Sequence, residues 1–205
     1  MMCKDQKNIS AIILSAGKSE RMGWPKFALK FDSKLTFLEK ITNEYYSFGC
    51  KEIIVVINTK NAALLREYKL ELRNNVKIVV NEHPEWERFY SLKLGAMELA
   101  SPSAVFISNI DNPFVSNSLL EALKNNSKSI DYSCLSYSGK GGHPFYLSER
   151  AISDLKAEKQ DQLHLKEFLG RYEKRLINTN DEKVLRNINT PEDYSKYFGR
   201  EIEER

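Results

Sequence analysis

The sequence predicts an α/β fold built on a largely parallel sheet covered on both faces. Three observations predict it. Short apolar runs recur along the first half, and they are continuous rather than alternating, as in strands buried on both sides. Segments with apolar residues three and four apart lie between those runs. The alternation of strand and helix repeats four times, which calls for parallel strands joined by right-handed crossovers.

The elements follow in order. Residues 11–16 (AIILSA) form a buried strand that stops at a glycine-containing segment. Residues 51–58 (KEIIVVIN), 76–80 (VKIVV) and 103–109 (SAVFISN) read as further buried strands. Between them, residues 35–48 place Phe37, Leu38, Ile41, Tyr45 and Phe48 at helical spacing. Residues 61–72 put Ala62, Leu65, Tyr68 and Leu72 on one helical face, and 91–99 carry Leu92, Leu94, Ala96 and Leu99. A helix over 116–123 follows the fourth strand. The second half is less regular. Residues 132–137 and 144–147 read as strands flanking a glycine-rich loop, SGKGG, at 138–142. Residues 150–155 and 163–172 read as helices, and 175–177 and 184–186 as short strands. Thr190 caps the last helix, with Pro191 at its first position. The charged tail EIEER is expected to fray.

At 205 residues the chain fits one domain, 1–205, with no internal repeat or linker. Lys plus Arg number 31 and Asp plus Glu 28, a net charge of +3. That near-balance, with the basic residues dispersed, argues against a nucleic-acid partner. Apolar residues make up 41% and charged residues 29%, an ordinary globular mixture that excludes fibrous and disordered classes. Cys3, Cys50 and Cys134 are widely spaced and form no zinc pattern, so free thiols are expected. No apolar run approaches the roughly 20 residues of a membrane helix. The first ten residues are polar and lack a signal-peptide core. A cytoplasmic protein with no membrane partner is expected.

In open α/β sheets, ligands bind beyond the carboxyl ends of the strands. Three loops qualify. The first, residues 14–26, holds two glycines and the cations Lys18, Arg21 and Lys26. Its backbone N–H groups can form an anion nest, arginine can grip phosphate with two donors, and lysine supplies a point charge. It reads as a polyphosphate loop, the alternative being a basic surface loop. It is not a Walker A loop, because Ile12 stands where that motif needs glycine, and no G-x-G-x-x-G is present. The second loop, Asn109-Ile110-Asp111-Asn112-Pro113, puts Asp111 at the same edge. A carboxylate beside phosphates suits magnesium; the alternative is a helix-capping turn. The third loop, 186–193, offers the amide oxygen of Asn189 to a metal, or simply makes Asx turns at a helix entry. No Ser-His-Asp or Cys-His set can be assembled.

These residues resemble a known family. L-S-A-G-K-S-E-R-M-G-W-P-K (14–26) resembles the L-[AS]-[AG]-G-x-S-x-R-M-G-x-x-K signature of the MobA-like nucleotidyltransferases, which include molybdenum-cofactor cytidylyltransferases and guanylyltransferases. I-D-N-P (110–113) resembles their metal-binding D-x-P, and N-I-N-T-P-E-D-Y (187–194) their N/D-x-N/D-T-P-E-D-L. G-G-H-P (141–144) and N-E-H-P-E-W-E-R-F-Y-S-L-K-L-G-A (81–96) resemble motifs of the cytidylyltransferase branch. The matches keep their order from residue 11 to residue 194.

The resemblance implies a Rossmann-like three-layer αβα sandwich with a mostly parallel mixed sheet, of the nucleotide-diphospho-sugar transferase type. It implies a nucleoside triphosphate donor, Mg2+, and a phosphate-bearing acceptor that attacks the α-phosphorus while pyrophosphate leaves. Carried over by position, Leu14, Ser15, Ala16, Gly17, Lys18, Ser19, Arg21 and Lys26 would hold the nucleotide, with Ser91 near its base or sugar. Arg21 would balance charge on pyrophosphate, and Lys26 charge at the α-phosphoryl. Asp111, Asn189 and Asn187 would serve the metal, and His143 the acceptor. Electrostatics and positioning can carry such a transfer without a side-chain nucleophile.

The chain also departs from the pattern. Arg88-Phe89-Tyr90 stand where glycine-methionine is usual, Asn109 and Asn112 flank Asp111, and Asp161-Gln162-Leu163-His164 replace a glycine-rich D-Q-G-A-R. Ala16 leans toward CTP as donor and CMP as the group moved, with molybdopterin one candidate acceptor. Two rivals are a sugar- or alcohol-phosphate nucleotidyltransferase and a non-catalytic nucleotide-binding regulator. A partner enzyme is compatible with all of these readings.

Overall fold

In the computed structural model, which describes residues 9–100 and 103–202, the first apolar run becomes β1 (Ile9–Ser15) with every residue buried. Burial on both faces follows from side chains alternating across the strand. Ala11 and Ile13 join one core cluster while Ile12 and Leu14 join the other. The next three runs become β2 (Ile53–Asn58), β3 (Val76–Asn81) and β4 (Ala104–Asn109). β1 pairs in parallel with β2 on one side and β4 on the other, and β3 adds beyond β2. The sheet is completed by β5 (Tyr132–Tyr137), β6 (Lys140–Leu147) and β7 (Lys174–Asn178). The order is β3-β2-β1-β4-β6-β5-β7. Only β6 runs against the others.

Helices cover both faces, giving three layers. On one face lie α1 (Phe37–Phe48), α4 (Asn117–Asn126) and α7 (Pro191–Phe198), contributing Phe37, Ile41, Tyr45, Leu120 and Tyr194 to the core. The other face is covered by α3 (Glu87–Met97), α5 (Glu149–Ala157) and the short α6 (Leu165–Leu169), which contribute Phe89, Leu92, Ile152 and Phe168. α2 (Thr59–Glu67) links β2 to β3. Each fully buried Leu, Ile or Phe contributes roughly 1.5–3 kcal/mol. Among the described residues no helix is long and apolar enough to cross a membrane.

Several sequence expectations are corrected. The helix expected over 61–72 is α2, which starts earlier because the Asn58 side chain caps the Asn61 N–H at 2.8 Å. It ends before Tyr68, and Lys69 follows at φ 47°, so Leu72 lies off the helix. The glycine-rich loop at 138–142 is a tight hairpin. Ser138 (φ 48°) and Gly139 (φ 75°) make the turn, and the next strand already starts at Lys140. The helix expected over 163–172 shrinks to α6. The strand expected at 184–186 is instead a 3₁₀ turn, Glu182–Leu185. The Asn112 side-chain amide takes the Lys183 and Val184 carbonyls, both at 3.1 Å, that a strand would have offered to a neighbour. Thr190 does cap α7, with Asp193 completing a capping box. Cys50 and Cys134 are free and buried. Cys3 and the end of the charged tail lie outside the described residues.

Candidate active site

The three loops chosen from sequence meet at the carboxyl edge of β1 and β4 because backbone bonds tie them together. Ile110 N donates to Leu14 O at 3.0 Å, and Ile188 N donates to Asp111 O at 2.7 Å. At the end of β2, the Asn58 amide donates to the carbonyls of Ala16 (3.0 Å) and Gly17 (3.2 Å), which fixes the start of the first loop. At the end of β3, Asn81 donates to Ser91 Oγ at 2.9 Å. Asn58 and Asn81 were not picked out from the sequence. The signal for both is an amide closing an otherwise apolar strand.

Together these loops border a cavity of about 420 Å³, within the usual range for a small-molecule site. Leu14, Ala16, Gly17, Ser19 and Lys26 line it from the first loop, Asp111 and Asn187 from the others, and Ser91 from α3. A Cβ on Gly17 would meet nothing within 4 Å, so the backbone there is open to a ligand. The loop turns at Ser19 (φ 55°) and Gly23 (φ 73°), and buried Met22 pins it to the core. Ser15 is buried within β1. Lys18 and Arg21 are exposed on the loop and do not line the cavity.

Lys26 enters from a 3₁₀ turn, Lys26–Ala28, set by Pro25. Its Nζ donates to Asn189 Oδ1 at 2.7 Å and lies 3.6 Å from Asp111 Oδ2. Burial pulls the Lys26 ammonium below the ordinary lysine range, against the opposing pull of Asp111, and the Arg21 charge lowers it further. Asp111 Oδ1 is buried and has no hydrogen-bond partner. An orphaned carboxylate oxygen beside an amide oxygen is a hard-oxygen donor set that fits a divalent cation such as Mg2+. Among the described residues no group of three or more His, Cys, Asp or Glu gathers here or elsewhere. A cation at this edge would therefore draw further ligands from water and phosphate. Asn112, beside Asp111, faces away and braces the 3₁₀ turn.

His143 lies outside this cavity, in an adjoining one of about 410 Å³ that shares Asn109 and Arg88 with it. Because β6 is reversed, its first residues share the edge where β4 ends. His143 Nε2 is 3.0 Å from Asn109 Nδ2, which makes that nitrogen an acceptor. Burial pushes the imidazolium down to about 4, so His143 is neutral near pH 7. His83 instead stacks on Trp86 (4.2 Å, 9°), and exposed His164 faces Glu87 at 3.2 Å. Trp24 packs against the core. Pro84, Glu87, Arg88, Asn109 and Ile110 also line the cavity, beyond the site residues expected from sequence. Glu87 adopts φ 60°, ψ −161°, a backbone region that costs a non-glycine residue about 1–3 kcal/mol and clusters at functional sites.

The model of the MobA-like NTP transferase domain matches residues 11–176. The chain belongs to that family. It is thus a member of a nucleotidyltransferase family, and its seven-stranded mixed sheet agrees with that fold. This MobA-like chain is 25% identical over 200 residues to a probable molybdenum cofactor guanylyltransferase of Carboxydothermus hydrogenoformans, covering 93% of the chain and 95% of that relative. It is 28% identical over 105 residues to a bifunctional IPC transferase and DIPP synthase of Aquifex aeolicus. That match covers 49% of the chain and only 24% of the Aquifex protein's length. Among solved structures, Rv0371c of Mycobacterium tuberculosis H37Rv superposes with a TM-score of 0.77 at 21% identity, covering 95% of this chain and 99% of that one. A manganese complex of Rv0371c superposes with a TM-score of 0.73 at 19% identity, covering 95% and 99%.

Proposed function

We propose that the chain, as one domain over 1–205 working in the cytoplasm, moves a nucleoside monophosphate from a nucleoside triphosphate to a phosphate-bearing small molecule. The favoured donor is CTP and the favoured metal Mg2+. The observation that carries this reading is the cluster of Lys26, Asp111 and Asn189, in which Lys26 and Asp111 line the same cavity as the open backbone of Gly17. An acceptor phosphate oxygen attacks the α-phosphorus, the bond from that phosphorus to the β-phosphate bridging oxygen breaks, and pyrophosphate leaves with its electron pair. The backbone around Gly17 and Ser19 cradles the triphosphate. Arg21, exposed on the loop, neutralises departing pyrophosphate. Lys26 stabilises charge that grows on the α-phosphoryl oxygens, and Asp111, Asn189 and Asn187 hold the cation. When bound, that cation supplies charge neutralisation on the phosphates.

The buried orphan Oδ1 of Asp111 favours this reading over a non-catalytic regulator, for which an unpaired carboxylate would only be a cost. Molybdopterin and sugar or alcohol phosphates are the acceptors to compare. The test has two arms. Melting temperature is followed with CTP, GTP, ATP and UTP, each with and without Mg2+. Pyrophosphate release is then followed with the donor that shifts it, across an acceptor panel. A magnesium-dependent shift, largest for CTP, and release only with an acceptor are expected. Release without any acceptor would make the protein a hydrolase, and binding without turnover would make it a regulator.

A further inference from the structure

Arg88 stands where three cavities meet. It lines the donor cavity, the His143 cavity and a shallower one of about 470 Å³ beside α6. It lies exposed in the first turn of α3. Its field reaches His143, yet among the described residues it makes no hydrogen bond, ion pair or ring contact. Three other arginines are held by carboxylates, Arg150 by Asp131, Arg171 by Glu158 and Arg186 by Glu182. The His143 cavity carries two more cations, Lys166 and Lys174, and among the described residues neither forms an ion pair. Among the described residues no carboxylate lines that cavity, while Glu87 and Glu167 line the neighbouring one beside α6. The rest of its wall is largely ring and hydrocarbon. Tyr132 meets Phe145 edge-on at 5.8 Å, Tyr172 and Leu169 close the side, and the Lys174 ammonium sits 5.8 Å from the Tyr132 ring centre.

We propose that this second cavity takes the acceptor as a phosphomonoester with a flat or apolar body, and that Arg88 carries its phosphate at the border with the donor cavity. The inference rests on the transferase reading and narrows its acceptor. Three cations on a wall that holds no carboxylate suit an anion. A guanidinium fork engages two phosphate oxygens in parallel, which leaves the third non-bridging oxygen free to point across the border at the α-phosphorus. The ring-lined wall decides the body. A polyol would bring hydroxyls against rings and lose their hydrogen bonds to water, whereas a flat or apolar body keeps its contacts. Arg88 thus becomes a specificity residue that also positions the nucleophile.

Titration calorimetry on the full chain tests this with 1-naphthyl phosphate, 1-naphthol and glycerol 3-phosphate, each with and without CTP and Mg2+. The naphthyl ester is expected to bind at least tenfold more tightly than either comparison and to bind alongside the nucleotide. Arg88→Ala should weaken it tenfold or more, with Arg88→Lys recovering only part, because lysine restores the charge and not the fork. Lys174→Glu, remote from the donor cavity, should weaken the naphthyl ester and leave the nucleotide melting shift unchanged. Glycerol 3-phosphate binding as tightly, competition with CTP, or full affinity in Arg88→Ala would each overturn the proposal. Absence of any nucleotide shift in a chain that still binds naphthyl phosphate through Arg88 would sink the transferase reading instead.

Discussion

Lys26 and Asp111 face each other at 3.6 Å, and their replacements should fail differently. Lys26→Ala removes a charge whose proposed work grows toward the transition state. It should lower kcat by about a hundred- to a thousand-fold while changing donor KM much less. Steady-state kinetics at saturating Mg2+ checks this, and a change confined to KM would reduce Lys26 to a ground-state phosphate contact. Asp111→Asn keeps the shape and halves the hard-oxygen set. It should melt within a few degrees of the parent and lose most magnesium-dependent turnover, about a hundredfold or more. Turnover and calorimetric melting read the two effects separately, and parental rates would remove Asp111 from the metal. Both residues were legible in the sequence because each follows a buried strand in an α/β pattern. Arg88 was visible only as a departure from the family motif, since its meaning depends on the cavities around it. Asn58 and Asn81 were marked only as amides closing strands; what they hold, the start of the first loop and Ser91 of α3, is set by the fold.

At the scale of elements, one close approach sets how α3 lies on the sheet. A Cβ on Gly95 would stand 2.8 Å from Ile12 Cγ2 and 3.0 Å from Val56 Cγ2. Glycine in a helix costs roughly 1 kcal/mol against alanine, yet overpacking a well-filled core costs about 1–3 kcal/mol. The two effects oppose, and overpacking should win because the clash falls on branched carbons close to the strand backbone. Gly95→Ala should therefore lower the melting temperature by about 2–6 °C, at about 2–4 °C per kcal/mol for a chain of this size. A rise would mean that α3 floats. The elements that were legible are those with many apolar residues in period: the first four strands, α1 and the capped start of α7. Those misread were short and set by side-chain bonds from elsewhere. Asn112 turned an expected strand into the 3₁₀ turn at Glu182–Leu185, and the two-residue hairpin at Ser138 and Gly139 emptied an expected loop.

For the whole molecule, His143 ties stability to acidity. The unfolded chain takes up that proton near the ordinary histidine value of about 6.5, while the native fold resists it down to about 4. Protons thus favour the unfolded state across that interval. The stability is complete above about 6.5 and is lost as pH falls toward 4. Melting temperature against pH should decline over this window, and His143→Gln should flatten the decline; an unchanged slope would place the acid sensitivity elsewhere. A largely parallel sheet covered on both faces was foreseen from the alternation of elements, and the three-layer form with a mixed sheet from the family resemblance. The position of the reversal was not, because it depends on strand order rather than on composition. Lys26 and Asn189 touch across 163 positions of sequence. On a ribosome the loop of Lys26 emerges before Asn189, and its lysine has no amide to settle against until 163 further positions have been made. All seven strands precede Asn189 in sequence, so the proposed site can set its lysine only after the sheet beneath it has been made.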